Sequence, residues 1–181
     1  MTFPRRAGLL LHPTSLPGPF GIGDLGPEAD GWVDTLAELG LGLWQVLPLG
    51  PTGYGDSPYQ CFSAFAGNPC LVSPERAADD GVLTRADLDG GPRFADGPVD
   101  FGPVIANKLR LLGLAHQRFE RAAPAALRAD YAHFRAEHRA WLDDFALFMA
   151  LKESQDWRPW TEWAPELVRR IPNGIALADF A

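Results

Sequence analysis

Apolar and polar positions follow two different rhythms along this chain, and the change comes near residue 70. Before it, short unbroken apolar runs are closed by prolines. Gly8-Leu9-Leu10-Leu11 stops at His12-Pro13, a pattern that suits a strand buried on both faces, as in a parallel sheet. Residues 27–39 switch to a helical period. Pro27 suits the first helical position and Glu28 the first turn. Ala29, Trp32, Val33 and Leu36 recur at helical spacing, and Gly40 stops the run. A second buried-strand pattern, Leu43-Trp44-Gln45-Val46-Leu47, ends at Pro48. Strand, helix and strand in so short a span form a βαβ unit, which implies parallel strands and a right-handed crossover.

After residue 70 the period is helical throughout. Ile105, Leu109, Leu112 and Ala115 make an apolar stripe over 104–121. A further helix starts near Ala125, with Leu127, Tyr131, Phe134 and His138 on one face. A third covers Trp141 to Lys152, where Trp141, Leu142, Phe145, Phe148 and Met149 form a surface so broad that it needs cover on more than one side. The expected organisation is strand–helix–strand with its loop over 1–70, a helical subdomain over 71–170, and a tail of different character over 171–181.

Composition narrows the partners. The net charge is −7, from 16 basic and 23 acidic residues. A chain of this balance without a basic stripe is poorly suited to neutralising phosphates, so nucleic acid is not an expected partner. No apolar run approaches the ~20 residues of a membrane span. Leu9–Leu11 is also too short for the ~7–15-residue core of an export signal. A cytoplasmic location is therefore expected, and Cys61 and Cys70 are read as reduced thiols rather than a disulfide. His12, His116, His133 and His138 do not stand at metal-ligand spacing, apart from Glu137 beside His138, so no metal site is expected.

Three glycine-rich or polar motifs carry candidate chemistry. Gly21-Ile-Gly23-Asp-Leu-Gly26 has the spacing of a dinucleotide fingerprint, but it does not follow its strand directly. The acidic residue that would hold a ribose is also missing, since the next strand ends Leu47-Pro48-Leu49. Gly50-Pro-Thr-Gly-Tyr-Gly55-Asp56-Ser57 has the spacing of a phosphate loop, but Asp56 stands where a lysine must be. What remains is Tyr54-Gly55-Asp56-Ser57-Pro58-Tyr59-Gln60. It puts two aromatic faces among a carboxylate, a hydroxyl and an amide, at the end of a strand where α/β proteins bind ligands. Such a set suits a neutral sugar. It equally suits a surface turn whose tyrosines cover the core and whose Asp56 caps local amides, and spacing alone favours that turn.

Longer motifs shift this balance. The runs Gly8-Leu-Leu-Leu-His12-Pro13-Thr14-Ser15-Leu16-Pro17-Gly18-Pro19, Trp44 through Gln60, and Phe62-Ser63-Ala64-Phe65-Ala66-Gly67-Asn68-Pro69 resemble the opening of bacterial amylomaltases, the 4-α-glucanotransferases of glycoside hydrolase family 77. The likeness is dense to about residue 70, looser through the helices, and returns at Asp143-Asp144-Phe145-Ala-Leu-Phe148-Met149-Ala-Leu-Lys152. It implies the first βαβ unit of an incomplete (β/α)₈ TIM barrel with a helical insertion, and neither metal nor organic cofactor. It also implies transfer of α-1,4-glucan segments between maltodextrins through a covalent glucosyl–enzyme. Tyr59 would line the site beside the cleaved bond, and Asp56, Ser57 and Gln60 would shape the same loop. Tyr54 would serve a second glucan groove together with Phe101, where the family carries a tyrosine.

The family's nucleophile, acid/base and transition-state carboxylates all fall beyond this sequence, so no catalytic residue is expected within it. A complete barrel also takes ~250 residues. Asp24 and Asp56 are assigned a turn contact and loop positioning rather than acid/base work. Family members continue past Trp157-Arg-Pro-Trp160-Thr-Glu-Trp163 with a charged helix, whereas Pro172-Asn173-Gly174 breaks the pattern here. The expectation is a chain cut by a frameshift or premature stop near residue 170 and inactive alone. The other two readings are a non-catalytic maltodextrin-binding module and one part of an enzyme completed by a separate chain bearing the remaining strands.

Overall fold

A computed structural model of the chain describes residues 5–169. The tail expected over 171–181, with Pro172, Asn173 and Gly174, lies outside the described residues. Packing separates two compact units, 1–130 and 131–181. The change of texture near residue 70 falls inside the first.

In the first unit, β1 (Gly8–Leu10) pairs in parallel with β2 (Leu43–Gln45), Gly8 opposite Leu43 and Leu10 opposite Gln45. Helix α1 (Pro27–Glu38) connects them, with Pro27 in its first turn and Gly40 at φ +69° just past its end. Leu11 extends the ladder by donating its N–H to the Gln45 carbonyl at 3.0 Å. The Trp44 indole donates to the Leu11 carbonyl at 2.7 Å. The strands are not buried on both faces as expected. Leu10 and Leu43 are 55% and 54% exposed, because an apolar run becomes buried only where further strands or helices lie against it. Among the described residues the sheet has two strands.

Two short helices escaped the periodicity. Helix α2 (Pro74–Asp79) is capped by the Ser73 hydroxyl, and α3 (Arg85–Asp89) by a reciprocal box between Thr84 and Asp87. Both are too short to show an apolar period, and only Ser73-Pro74 and Thr84-x-x-Asp87 announce them. Helix α4 (Phe101–Ala122) follows. Its buried face is Val104, Asn107, Lys108 and Leu111, not the expected Ile105, Leu109, Leu112 and Ala115. Two polar residues belong to that face because each finds partners there. Asn107 accepts from Arg110 at 2.9 Å.

Lys108 is 1% exposed and joins three segments. Its ammonium donates to Asp24 at 2.6 Å and to the Val72 carbonyl at 2.9 Å, and it lies 5.4 Å from the centre of the Phe20 ring. Burial pulls its pKa below the ordinary lysine range, and the Asp24 carboxylate opposes that pull. Apolar clusters share this helix with the pair. One holds Phe20, Ala77, Val82, Leu83 and Leu111, the other Ile22, Cys70 and Val104.

Helix α5 runs unbroken from Ala125 to Ser154, correcting the expectation of two helices. No Gly or Pro stands between those residues to stop it. In the second unit, Leu151, Trp163 and Leu167 form a core with Leu147, Phe148 and Val168, and α6 (Pro165–Val168) closes the described chain. Lys152, in the last turn of α5, holds the chain that follows the helix by donating to the carbonyls of Trp157 at 3.0 Å and Arg158 at 3.1 Å. Among the described residues no helix is long and apolar enough to cross a membrane.

Two outcomes follow from this packing. Lys108→Met strands the Asp24 carboxylate in the interior and should cost about 3–5 kcal/mol in urea unfolding. Combining it with Asp24→Asn should recover part of that loss; no recovery would mean that the two side chains are not coupled. The second concerns α3. Arg118 donates to Asp87 from its two terminal guanidinium nitrogens, at 2.5 and 2.9 Å. Together with the Thr84 hydroxyl it holds the Asp87 carboxyl far below the ordinary carboxylate range. A depressed carboxyl pKa stabilises the fold above the unfolded value, and that contribution is lost as pH falls from about 5. Urea midpoints of the native chain should therefore drop on acidification more steeply than those of Asp87→Asn.

Candidate glucan-binding loop

The segment after β2 is a loop with a closed neck. Asn68 donates its N–H to the Leu49 carbonyl at 2.8 Å, and Phe62 donates to Pro51 at 3.2 Å. Thr52 and Cys61 form an antiparallel bridge, and Gly53 donates to Gln60 at 2.8 Å. Asn68 is itself held, its side-chain oxygen accepting from the Cys70 N–H at 2.9 Å. Between these ties the chain makes a tight turn over Tyr54–Asp56, with Gly55 at φ +67° and Asp56 at φ +54°. Glycine takes that region without strain, and Asp is among the few other residues enriched there.

The turn brings the four expected residues onto one loop. The Ser57 hydroxyl accepts from the Tyr59 N–H at 3.3 Å, and the Ser57 carbonyl accepts from the Gln60 N–H at 3.0 Å. Tyr59 is left 71% exposed. Gln60 is exposed beside it, and Asp56 and Ser57 are half-buried. A rigid turn with an outward ring and adjacent amide and hydroxyl groups can stack on the apolar face of a sugar while bonding its rim. Phe65 shares the loop and is 73% exposed, presented by a turn in which the Ser63 hydroxyl accepts from the Phe65 and Ala66 N–H groups at 3.1 Å. Its motif is visible in the sequence, but nothing local distinguishes an outward Phe from a core one.

The other expected residues have different fates. Phe101 begins α4, and its ring packs half-buried on the cluster of Ile22, Cys70 and Val104. The Tyr54 side chain lies outside the described residues. Asp24 serves the buried ion pair with Lys108 rather than a turn alone. The glycines of the rejected dinucleotide motif are explained by close packing. Gly21 has φ +76° with the Phe94 ring where a Cβ would lie, and Gly23 sits directly against the carbonyls of Pro13 and Leu16. Both cysteines are free, Cys61 exposed and Cys70 buried. Burial pushes the Cys70 thiol up, the Lys108 ammonium pulls it partly back, and the Asp56 carboxylate adds to the rise.

The model of the 4-α-glucanotransferase family, glycoside hydrolase family 77, matches residues 11–180. The chain belongs to this family. It is 49% identical over 181 residues to the 4-α-glucanotransferase of Thermus thermophilus, covering 100% of this chain and 35% of that protein. The 4-α-glucanotransferase of Synechocystis sp. is 43% identical over 173 residues, 96% of this chain and 34% of the other. The backbone is similar to that of the amylomaltase from Streptococcus agalactiae, solved in complex with acarbose. There the TM-score is 0.86 at 36% identity, over 95% of this chain and 35% of that one. This family-77 chain therefore spans about a third of the length of the relatives it matches.

The thiols test the described loop. Iodoacetamide at about pH 8 should label one cysteine of the folded chain, Cys61, with Cys70 reacting only on unfolding. Equal labelling of both would mean that the neck at Leu49 and Asn68 is open in solution.

Proposed function

We propose that this chain forms the opening part of a cytoplasmic 4-α-glucanotransferase that transfers segments of α-1,4-glucan between maltodextrins. In this reading β1, α1 and β2 are the first unit of a (β/α)₈ barrel and the later helices are its insertion. The observation that carries it is the outward ring of Tyr59, 71% exposed on a loop whose neck is closed by hydrogen bonds. That loop stands at the C-terminal end of a parallel strand, the end at which barrel enzymes place their sites. The likeness to an amylomaltase that holds acarbose supports a sugar as its ligand.

The chain's own residues bind and orient. Tyr59 stacks on a glucosyl unit, Gln60 donates to its hydroxyls, and Asp56 and Ser57 accept from them. Retaining transfer needs two carboxyls about 5–5.5 Å apart. Asp24 is neutralised by Lys108 at 2.6 Å, which removes it from that task. The resemblance to family 77 assigns that pair to the further length that the relatives possess, whether it stands on the same polypeptide or on a separate chain. No cofactor enters this chemistry.

A chimaera tests the proposal. Residues 1–181 replace the aligned third of the Thermus thermophilus enzyme, and products from maltotriose are followed. Glucose and longer maltodextrins should appear together, and Tyr59→Ala should lower kcat/KM by about tenfold, roughly 1.4 kcal/mol. The 181-residue chain alone should bind maltodextrin and yield neither product. Glucose without longer products from a folded chimaera would contradict a transferase role for this segment.

A further inference from the structure

We infer that His12 is a positioning residue for the glucan-binding loop, its imidazole linking the exit of β1 to the exit of β2. This rests on the sugar-binding role proposed above for that loop. His12 is buried and follows Leu11, which is already fixed to β2 by its own N–H on Gln45 and by the Trp44 indole on its carbonyl. The ring therefore stands on a rigid base. Its Nδ1 lies 2.7 Å from the Thr14 hydroxyl and 3.4 Å from the Thr14 N–H. Its Nε2 lies 3.4 Å from the carbonyl oxygen of Pro48. A backbone N–H can only donate, so Nδ1 is the acceptor and the ring proton sits on Nε2, directed at Pro48.

Pro48 is the residue before Leu49, where the neck of the loop closes onto Asn68. The imidazole thus carries the position of β1 to the root of the segment that presents Tyr59. The Thr14 contacts alone would make His12 a cap for the turn Pro13–Ser15. The Pro48 contact, 36 residues away in sequence, is the part that reaches the loop.

Two substitutions in the 181-residue chain separate these roles. His12→Asn keeps an acceptor near the Nδ1 position and loses the Nε2 donor. His12→Gln keeps a donor near the Nε2 position and loses the Nδ1 acceptor. His12→Asn should shift the amide resonances of Tyr59, Gln60 and Cys61 and weaken maltoheptaose binding by roughly fivefold, a change on the order of 1 kcal/mol. His12→Gln should leave both near native values. In the native chain, long-range ¹⁵N spectra should place the imidazole proton on Nε2, a measurement that needs no variant to fold. Unchanged loop amides in His12→Asn, or a proton on Nδ1, overturns the inference. If the amides shift only in His12→Asn while the native chain binds no maltoheptaose, the positioning stands and the glucan role of the loop fails.

Discussion

Lys108 places an ammonium group in the interior of the first unit, between two apolar clusters, where an unpaired charge would be costly. Asp24 neutralises it, the Val72 carbonyl takes a second proton, and the Phe20 ring lies against it. These partners come from the segment after β1 and from the chain just past the loop that carries Tyr59. One side chain on α4 thereby ties the beginning, middle and end of the unit. The gain is geometric more than energetic, because desolvating two ions offsets much of their attraction. A slip of α4 by one residue turns Lys108 by about 100° and leaves both charges unpaired. The ion pair therefore sets the register of the helix.

The loop that carries Tyr59 inherits that rigidity. Its far end runs through Asn68 and Cys70 into the cluster that packs on α4, and its near end leaves the paired strands at Pro48. Loops mounted on a fixed scaffold are where ligand contacts concentrate. The left-handed turn at Gly55 and Asp56 is fixed by the hydrogen bonds on either side of it. Leu10 and Leu43 stand half exposed on the two-stranded sheet. In the proposed barrel the faces that carry them are covered by the packed interior or the outer helices, and closure removes the open edges.

Much of the fold could be read without coordinates, wherever the signal is local. The parallel βαβ unit follows from two short apolar runs around a helical period, and Pro27 and Gly40 bound α1 almost to the residue. The loop motif from Tyr54 to Gln60 suits a sugar or a plain surface turn equally by its own chemistry, and only the longer resemblance tips it towards a sugar. Local reading failed where two polar residues separated in sequence meet inside. Apolar spacing puts the buried face of α4 on Ile105, Leu109, Leu112 and Ala115, whereas the structure buries Val104, Asn107, Lys108 and Leu111. Asp24 could not be matched to Lys108, 84 residues away, because no periodicity connects them. His12 likewise shows its reach to Pro48 only when parallel pairing sets the two strand ends side by side. Periodicity and caps report how a segment sits against its own neighbours, whereas partners for buried charge and the outward aim of Tyr59 and Phe65 depend on which distant segments occupy the space around them.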